Sequence, residues 1–261
     1  MDNIEIYTQN KSLHDEENQA VVKANSLIQQ SRFYLTAQEQ KIILYLVSKI
    51  KPKDIELSLY DFDIIDFCKV CDIDYNNGAN YRYIKQTIQK LRDKSMWITH
   101  DNGDEVLYAW LDSAIISKNK GTVTLKINDL MKPFLLQLAS NYTQYTLYYV
   151  LAMRGQYSIK LYELLKSYQY KHRCEFELDD FKRRLGAEKY ERHADFMRFV
   201  LTPALTEIEN LSDIKVSYNL YKTGRKFSRI VFMIQPLTAK EEWEKRHKNI
   251  NKKLNKKNTK G

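Results

Sequence analysis

Cys68-Lys-Val-Cys71 is the first stretch whose residue types and spacing suggest chemistry, since two thiols three positions apart can share a metal ion or a disulfide. A structural zinc site needs a second pair, and Cys174 stands alone. A redox pair wants a strand–helix–strand setting that the flanking sequence does not supply. The expectation is two half-buried thiols on a short helix. The 5 histidines (14, 100, 172, 193 and 247) form neither H-E-x-x-H nor a His-x-His cluster. Nicking chemistry built on a metal and a tyrosine therefore lacks its ligands, and the 19 Tyr read as core and interface aromatics. Asp61, Asp63 and Asp66 have the spacing of carboxylate ligands, but helix capping and surface placement explain them better. No Ser-His-Asp or Cys-His arrangement can be assigned. Gly is 7 of 261 residues, with no G-x-G and no pair spaced for a P-loop, so glycine-built phosphate cradles are excluded. No catalytic residue, metal or cofactor is expected.

What remains is binding chemistry carried by basic side chains. Lys182-Arg183-Arg184 lies just before a long helical pattern, and Lys189, Arg192 and His193 crowd its start. Arg198 and Thr202 fall on its polar side. Lys222, Arg225 and Lys226 lie in a turn between two strands, with Arg229 beyond it. In the first half, Arg82, Lys85, Gln86, Gln89 and Lys90 form the polar side of a helix, and Lys118 and Lys120 flank a turn. Arg and Lys can read guanine edges, Gln can read adenine, and turn lysines suit phosphates. Each of these residues is equally at home on an ordinary solvated face.

The charge is unevenly spread. The chain carries +9 in all; residues 1–150 hold 17 basic and 19 acidic residues, and residues 151–261 hold 25 and 14. The end of the chain, 240–261, has 9 basic and 3 acidic residues. A basic half with a basic tail fits a polyanion partner; the plain alternative is a tail that aids solubility. Residues 1–18 are polar with no apolar leader core, and Tyr145–Met153 is too short and too polar to span a bilayer. A soluble cytoplasmic protein is expected, without membrane contact.

The elements that must position these side chains follow from periodicity. Thr36-Ala-Gln-Glu39 matches a capping box ahead of the helical run Ile42, Ile43, Leu46, Val47, Ile50. Ile55, Leu57 and Leu59 alternate as a strand, 61–72 reads as a short helix, and Asn76-Asn77-Gly78 as a turn. Residues 81–93 form a helix with Ile84, Ile88 and Leu91 on one face. Strands follow at Met96-Trp97-Ile98, 106–110 and 122–127, separated by turns at 101–104 and 118–121. The second half runs helix 157–168, strand 175–178, helix 179–185 stopped by Gly186, long helix 190–211, and strands 214–221 and 228–234. The rear stripe of the long helix is expected to be Phe196, Phe199, Val200, Pro203, Ala204, Ile208 and Leu211. Pro203 implies either a kink or two helices meeting at Thr202.

The halves superpose in order: helix, strand, helix, long helix, two strands. Leu44-Tyr45 falls on Leu161-Tyr162, Leu57–Phe62 on Phe176–Phe181, and Ile88, Leu91, Ser95 and Trp97 on Leu205, Ile208, Ser212 and Ile214. That is the order of a winged helix, so the expected fold is α+β, two tandem winged-helix domains related by internal duplication. The expected boundaries are an N-terminal tail 1–20, a first domain 21–138, a second 139–236, and a basic disordered tail 237–261. The third helix of each domain would enter the major groove of double-stranded DNA while the wing touches the backbone.

Several stretches resemble the plasmid replication initiators of the Rep_3 type. They are Val22-Lys-Ala-Asn-Ser-Leu-Ile28, the run Leu35–Leu46, Tyr162-Glu-Leu-Leu165, Phe196-x-x-x-Val200-Leu-x-Pro-Ala204-x-x-Glu-Ile208, and Gly224-Arg-Lys226. The resemblance covers roughly residues 20–236. It implies binding to directly repeated sites (iterons) at a bacterial plasmid origin and a monomer–dimer switch, with dimers repressing the initiator's own promoter. It also implies recruitment of host initiator and helicase, and no catalysis. The first module would carry the dimer contact and the second the stronger DNA contact. A DNA-binding autorepressor without a replication role is the alternative, and a nickase or primase a more distant one.

Overall fold

The computed structural model describes residues 17–71, 73, 80–100 and 102–258. Most of the expected N-terminal tail, the Asn76-Asn77-Gly78 turn and Asp101 lie outside the described residues. The chain divides into two compact units at 151/152, rather than at the expected 138/139. The reason is β8 (Tyr142–Thr146), which pairs antiparallel with β1 (Ala20–Ala24), Ala20 opposite Thr146. The Asn25 N–H also donates to the Asn141 carbonyl and the Leu147 N–H to that of Gln19. A polar strand of sequence YTQYT carries no hydrophobic alternation to announce this pairing.

In the first unit, α1 (Asn25–Gln30) and β2 (Ser31–Arg32) lead to α2 (Ala37–Val47). The capping box forms as expected: Thr36 Oγ1 accepts from the Glu39 N–H at 3.2 Å, and the Glu39 carboxylate accepts from the Thr36 N–H at 2.8 Å. The next strand, β3 (Leu59–Asp63), begins later than the alternation suggested, and Ile55 is 71% exposed. Asp63 caps α3 (Ile64–Val70), accepting from the N–H groups of Ile65 and Asp66. α4 (Asn80–Arg92) buries Ile84, Ile88 and Leu91. Behind its end, Lys94 Nζ bonds both Glu39 oxygens, at 2.6 and 2.8 Å, tying it to α2. β4 (Ser95–Thr99), β5 (Glu105–Ala109), β6 (Leu111–Ser117) and β7 (Thr122–Ile127) follow, then α5 (Lys132–Leu135), β8 and α6 (Leu147–Ala152). They make two three-stranded sheets, β3-β7-β6 and β2-β4-β5.

The second unit runs α7 (Gln156–Ser167), β9 (Arg173–Glu177), α8 (Leu178–Leu185), α9 (His193–Phe196), a π-helical turn (Met197–Leu201), α10 (Thr202–Leu211), β10 (Ile214–Thr223) and β11 (Lys226–Pro236). Its sheet has the order β10-β11-β9. Phe176, Phe181, Phe196 and Phe232 fill the space between sheet and helices, with neighbouring ring centroids 5.3–6.5 Å apart. This is a winged helix in the expected element order.

The duplication holds, in a different register from the one expected. Setting Leu57–Phe62 on Phe176–Phe181 lays part of β3 on α8, which is impossible for one fold. Phe62, Ile64 and Phe67 instead correspond to Phe176, Leu178 and Phe181: each trio runs from the end of a strand into the next helix, and all six are buried. The Phe62–Phe67 and Phe176–Phe181 centroid distances are both 5.5 Å. The pairing β3-β7-β6 likewise mirrors β9-β11-β10, so the wing of the first unit is β6–β7. β4–β5 is an added hairpin paired with β2, and Trp97 is no counterpart of Ile214.

The tail expected to be disordered is instead helical: α11 spans Ala239–Asn258. It lacks apolar periodicity and is held by polar contacts at its start. Thr238 and Glu241 form a capping box, and Glu241 pairs with Lys215 at 2.6 Å. The Lys215 ammonium and the Thr238 donors hold the Glu241 carboxyl down at about 2. Lys245 Nζ donates to the carbonyls of Glu209 and Ser212, at 2.6 and 2.8 Å, capping the end of α10. Ending the chain at Leu237 is therefore expected to lower the melting temperature of the second unit, and ending it at Lys248 to leave it unchanged, as differential scanning calorimetry would read.

Candidate nucleic-acid interface

Among the described residues no group of three or more His, Cys, Asp or Glu could hold a metal ion, and no helix is long and apolar enough to cross a membrane. Cys68 and Cys71 lie on α3 and at its end, fully rather than half buried. Burial pushes the Cys68 thiol up to about 11 and that of Cys174 to about 12, so neither is a ready nucleophile.

The binding surface is built where the third helix meets the wing. α8 ends at Gly186, whose φ of +69° lets its N–H reach the Arg183 carbonyl while the Ala187 N–H reaches that of Lys182. The chain then turns through the exposed Lys189 and Arg192 into α9. The wing closes with Gly224-Arg225 between the paired Thr223 and Lys226, and Gly224 takes a φ of +61°. Lys222, Arg225 and Lys226 are exposed at this tip. A register shift at Tyr221/Lys222 re-aims it.

Phe227 joins the two parts. Its ring stacks on His193 with centroids 4.1 Å apart, and Lys222 Nζ lies 4.6 Å above it. Burial, with Lys182 and Lys222 nearby, lowers the His193 pKa and so disfavours its charged form. His193 thus joins helix to wing through this ring stack. The first unit has an analogous junction: Lys118 Nζ of its wing lies 5.4 Å over the ring of Tyr81 at the start of α4. Arg82, Lys85, Gln86, Gln89 and Lys90 are all exposed on α4, opposite Ile84 and Leu91, and Lys118 and Lys120 are exposed at the wing tip.

Three expected contact residues are turned to other work. Lys182 is 7% exposed, and its ammonium donates to the carbonyls of Tyr190 and Glu191, at 2.8 and 3.1 Å. Arg184 bonds Asp180 and lies 5.5 Å from the Phe176 ring. Arg229 bonds Glu175 at 2.6 Å and packs on Tyr221; Arg229 and Arg173 hold the Glu175 carboxyl below its usual range. A run of basic letters cannot show which of its members has a carboxylate or carbonyl within reach. Arg183, the middle of its run, also comes within 3.6 Å of the Asp180 carboxylate, but it remains 56% exposed.

The third helix of the second unit also differs from its expected stripe. Phe196, Val200, Ala204 and Ile208 are buried, Leu201 joins them, and Phe199 and Pro203 are exposed. The cause is the π turn. Pro203 has no N–H to donate to Phe199, and the Thr202 N–H bonds the Met197 carbonyl five residues back. The chain stays helical through the proline, with one wider turn that shifts the residues before it around the axis. Arg198 and Thr202 are exposed, as expected. Beyond them the helix turns acidic, and Glu207 accepts from the N–H groups of Arg154 and Gly155 at 3.0–3.1 Å, ahead of α7. Only the first turns of this helix offer a surface free of carboxylates locked into the fold.

The aromatics at these junctions, Tyr81, Tyr190, Phe199 and Phe227, are candidate site residues that the distribution of charge does not point to. Their signal was adjacency to basic residues, as in Lys189-Tyr190 and Arg198-Phe199. A family model described as "Initiator Replication protein, WH1" matches residues 20–166, and one described as "Initiator Rep protein, WH2" matches residues 177–234.

Proposed function

The chain belongs to the Rep3 family of initiator replication proteins, with a WH1 and a WH2 module, and from that premise we propose that it initiates plasmid replication by binding repeated double-stranded sites at the origin. The observation that carries this reading is the junction found in both units, where a wing lysine and an aromatic ring meet the start of the third helix. A groove-reading helix and a backbone-touching wing then act as one surface. The proposed contacts are Arg183, Lys189, Arg192, Arg198, Thr202, Lys222, Arg225 and Lys226 in the second unit, and Arg82, Lys85, Gln86, Gln89, Lys90, Lys118 and Lys120 in the first. Self-association is assigned to the first unit. There Trp97 and Leu107 face each other across β4–β5, each 50% exposed, and β5 is a sheet edge. The role is one of opening the origin and recruiting host initiator and helicase, without catalysis.

Footprinting on the DNA flanking the gene tests the reading: protected tandem repeats support it, and a lone inverted repeat at a promoter would leave only an autorepressor. Site variants test the roles. Arg192→Ala and Arg198→Ala are expected to cost about 1–3 kcal/mol of specific binding and to relax choice at one position. Lys226→Ala should weaken all sequences alike. Arg82→Ala and Lys85→Ala are expected to cost less specificity, the positive balance lying in the second half. That ranking is exposed to refutation, because α4 itself carries no acidic residue whereas α9 and α10 carry Asp195, Glu207 and Glu209. Specificity lost only in the Arg82 and Lys85 variants would reverse the roles of the units.

A further inference from the structure

We propose that Phe199, flanked by Thr202 and Pro203, reads the C5-methyl groups of thymine in the major groove, making the second module selective for a thymine beside the base contacted by Arg198. The inference rests on the DNA-binding reading above and adds a specificity-determining residue to it. The outward positions of the first turns of the third helix are Ala194, Arg198, Phe199, Thr202, Pro203 and Thr206; Glu209 and Asn210 are exposed only at its far end. Arg198 is the single Lys or Arg between His193 and Leu211. The Thr206 hydroxyl is bonded back to the Thr202 carbonyl at 2.9 Å. This face therefore offers few donors for base edges and much apolar surface, which in the major groove has one matching feature, the thymine methyl.

Phe199 is 50% exposed, and it is held rather than loose. Its ring stacks on Tyr190 at 6.0 Å, Tyr190 packs edge-on against Tyr157 at 6.2 Å, and the Arg198 guanidinium lies 5.1 Å from the Phe199 centroid. A ring already ordered gives up little freedom on binding. Its surroundings also choose the partner. Lys189 lies 5.2 Å over Tyr190 and Arg198 over Phe199, so a cation sits on each ring of the patch, which suits a polyanion groove better than an apolar protein surface. Phe199 lies within the π turn Met197–Leu201 that runs up to Pro203.

The test uses the full chain and double-stranded sites selected by it from a random duplex pool. Each thymine of the selected site is replaced in turn by deoxyuridine, which removes only the methyl group. Wild type is expected to lose roughly three- to tenfold in affinity at one or two positions, the scale of one buried methyl. Phe199→Ala should bind the thymine site more weakly and be indifferent to uracil at those positions, assayed well below its melting temperature. Phe199→Leu should keep part of the methyl response, and Arg198→Ala all of it. Equal binding of every uracil-substituted site by wild type overturns the proposal alone. Failure to select any double-stranded site overturns the DNA-binding reading and this inference together.

Discussion

Raising salt from 50 to 200 mM is expected to weaken binding to double-stranded DNA by about 10³–10⁵-fold, with log K falling against log[salt] at a slope of about −5 to −9. The estimate follows from the cations the fold leaves available. In the second unit these are Arg183, Lys189, Arg192, Arg198, Lys222, Arg225 and Lys226, and in the first Arg82, Lys85, Lys90, Lys118 and Lys120, all exposed. Not every one can meet a phosphate, and roughly six to ten neutralised phosphates give that slope. Arg184 and Arg229 are held by Asp180 and Glu175. Removing either should leave the slope unchanged, whereas Lys226→Ala should make it shallower by about one. A slope near zero, or a preference for single strands, would sink the winged-helix reading of function. Ending the chain at Lys248 removes five lysines and should weaken binding evenly across sequences.

The element order was legible in the sequence because each helix carries its own punctuation: Thr36 and Glu39 at one start, Gly186 at one stop. What was not legible is whatever depends on a partner distant in the chain. Strand β8 forms because β1 lies beside it, and its letters are polar. The register of the duplication was misplaced because Asp61-Phe62 and Asp180-Phe181 look alike as letters, while one pair sits in a strand and the other in a helix. Pro203 announced an irregularity but not its kind; a π turn and a kink start from the same missing N–H. For the site, the cluster at the helix start and wing was visible as charge, and its aromatic joints were not. A stack such as His193 on Phe227 joins residues 34 apart in sequence.

Lys182 gives the largest stability effect expected among the basic residues of the interface region. In Lys182→Met the stem is replaced by a side chain of similar length, and the ammonium is lost. The carbonyls of Tyr190 and Glu191 then lose donors at 2.8 and 3.1 Å, and the Phe196 ring loses a cation 5.4 Å away. An unsatisfied buried acceptor costs about 1–3 kcal/mol; here both bonds are part-buried and Glu191 is exposed, and part of the cost is returned because a buried charge no longer needs to be desolvated. The net loss is about 1–2 kcal/mol, or roughly 5–10 °C in the melting temperature of a unit this size. The turn it holds carries Lys189 and leads into Arg192 and His193, so DNA affinity should fall as well, although Lys182 itself faces inward. Two measurements separate this from a direct contact. A phosphate-contacting lysine would leave the melting temperature alone and make the salt slope shallower by about one. A residue that positions the turn lowers the melting temperature and, assayed well below it, keeps the slope. An unchanged melt with a shallower slope would return Lys182 to the DNA face and show that its contacts with the turn are dispensable.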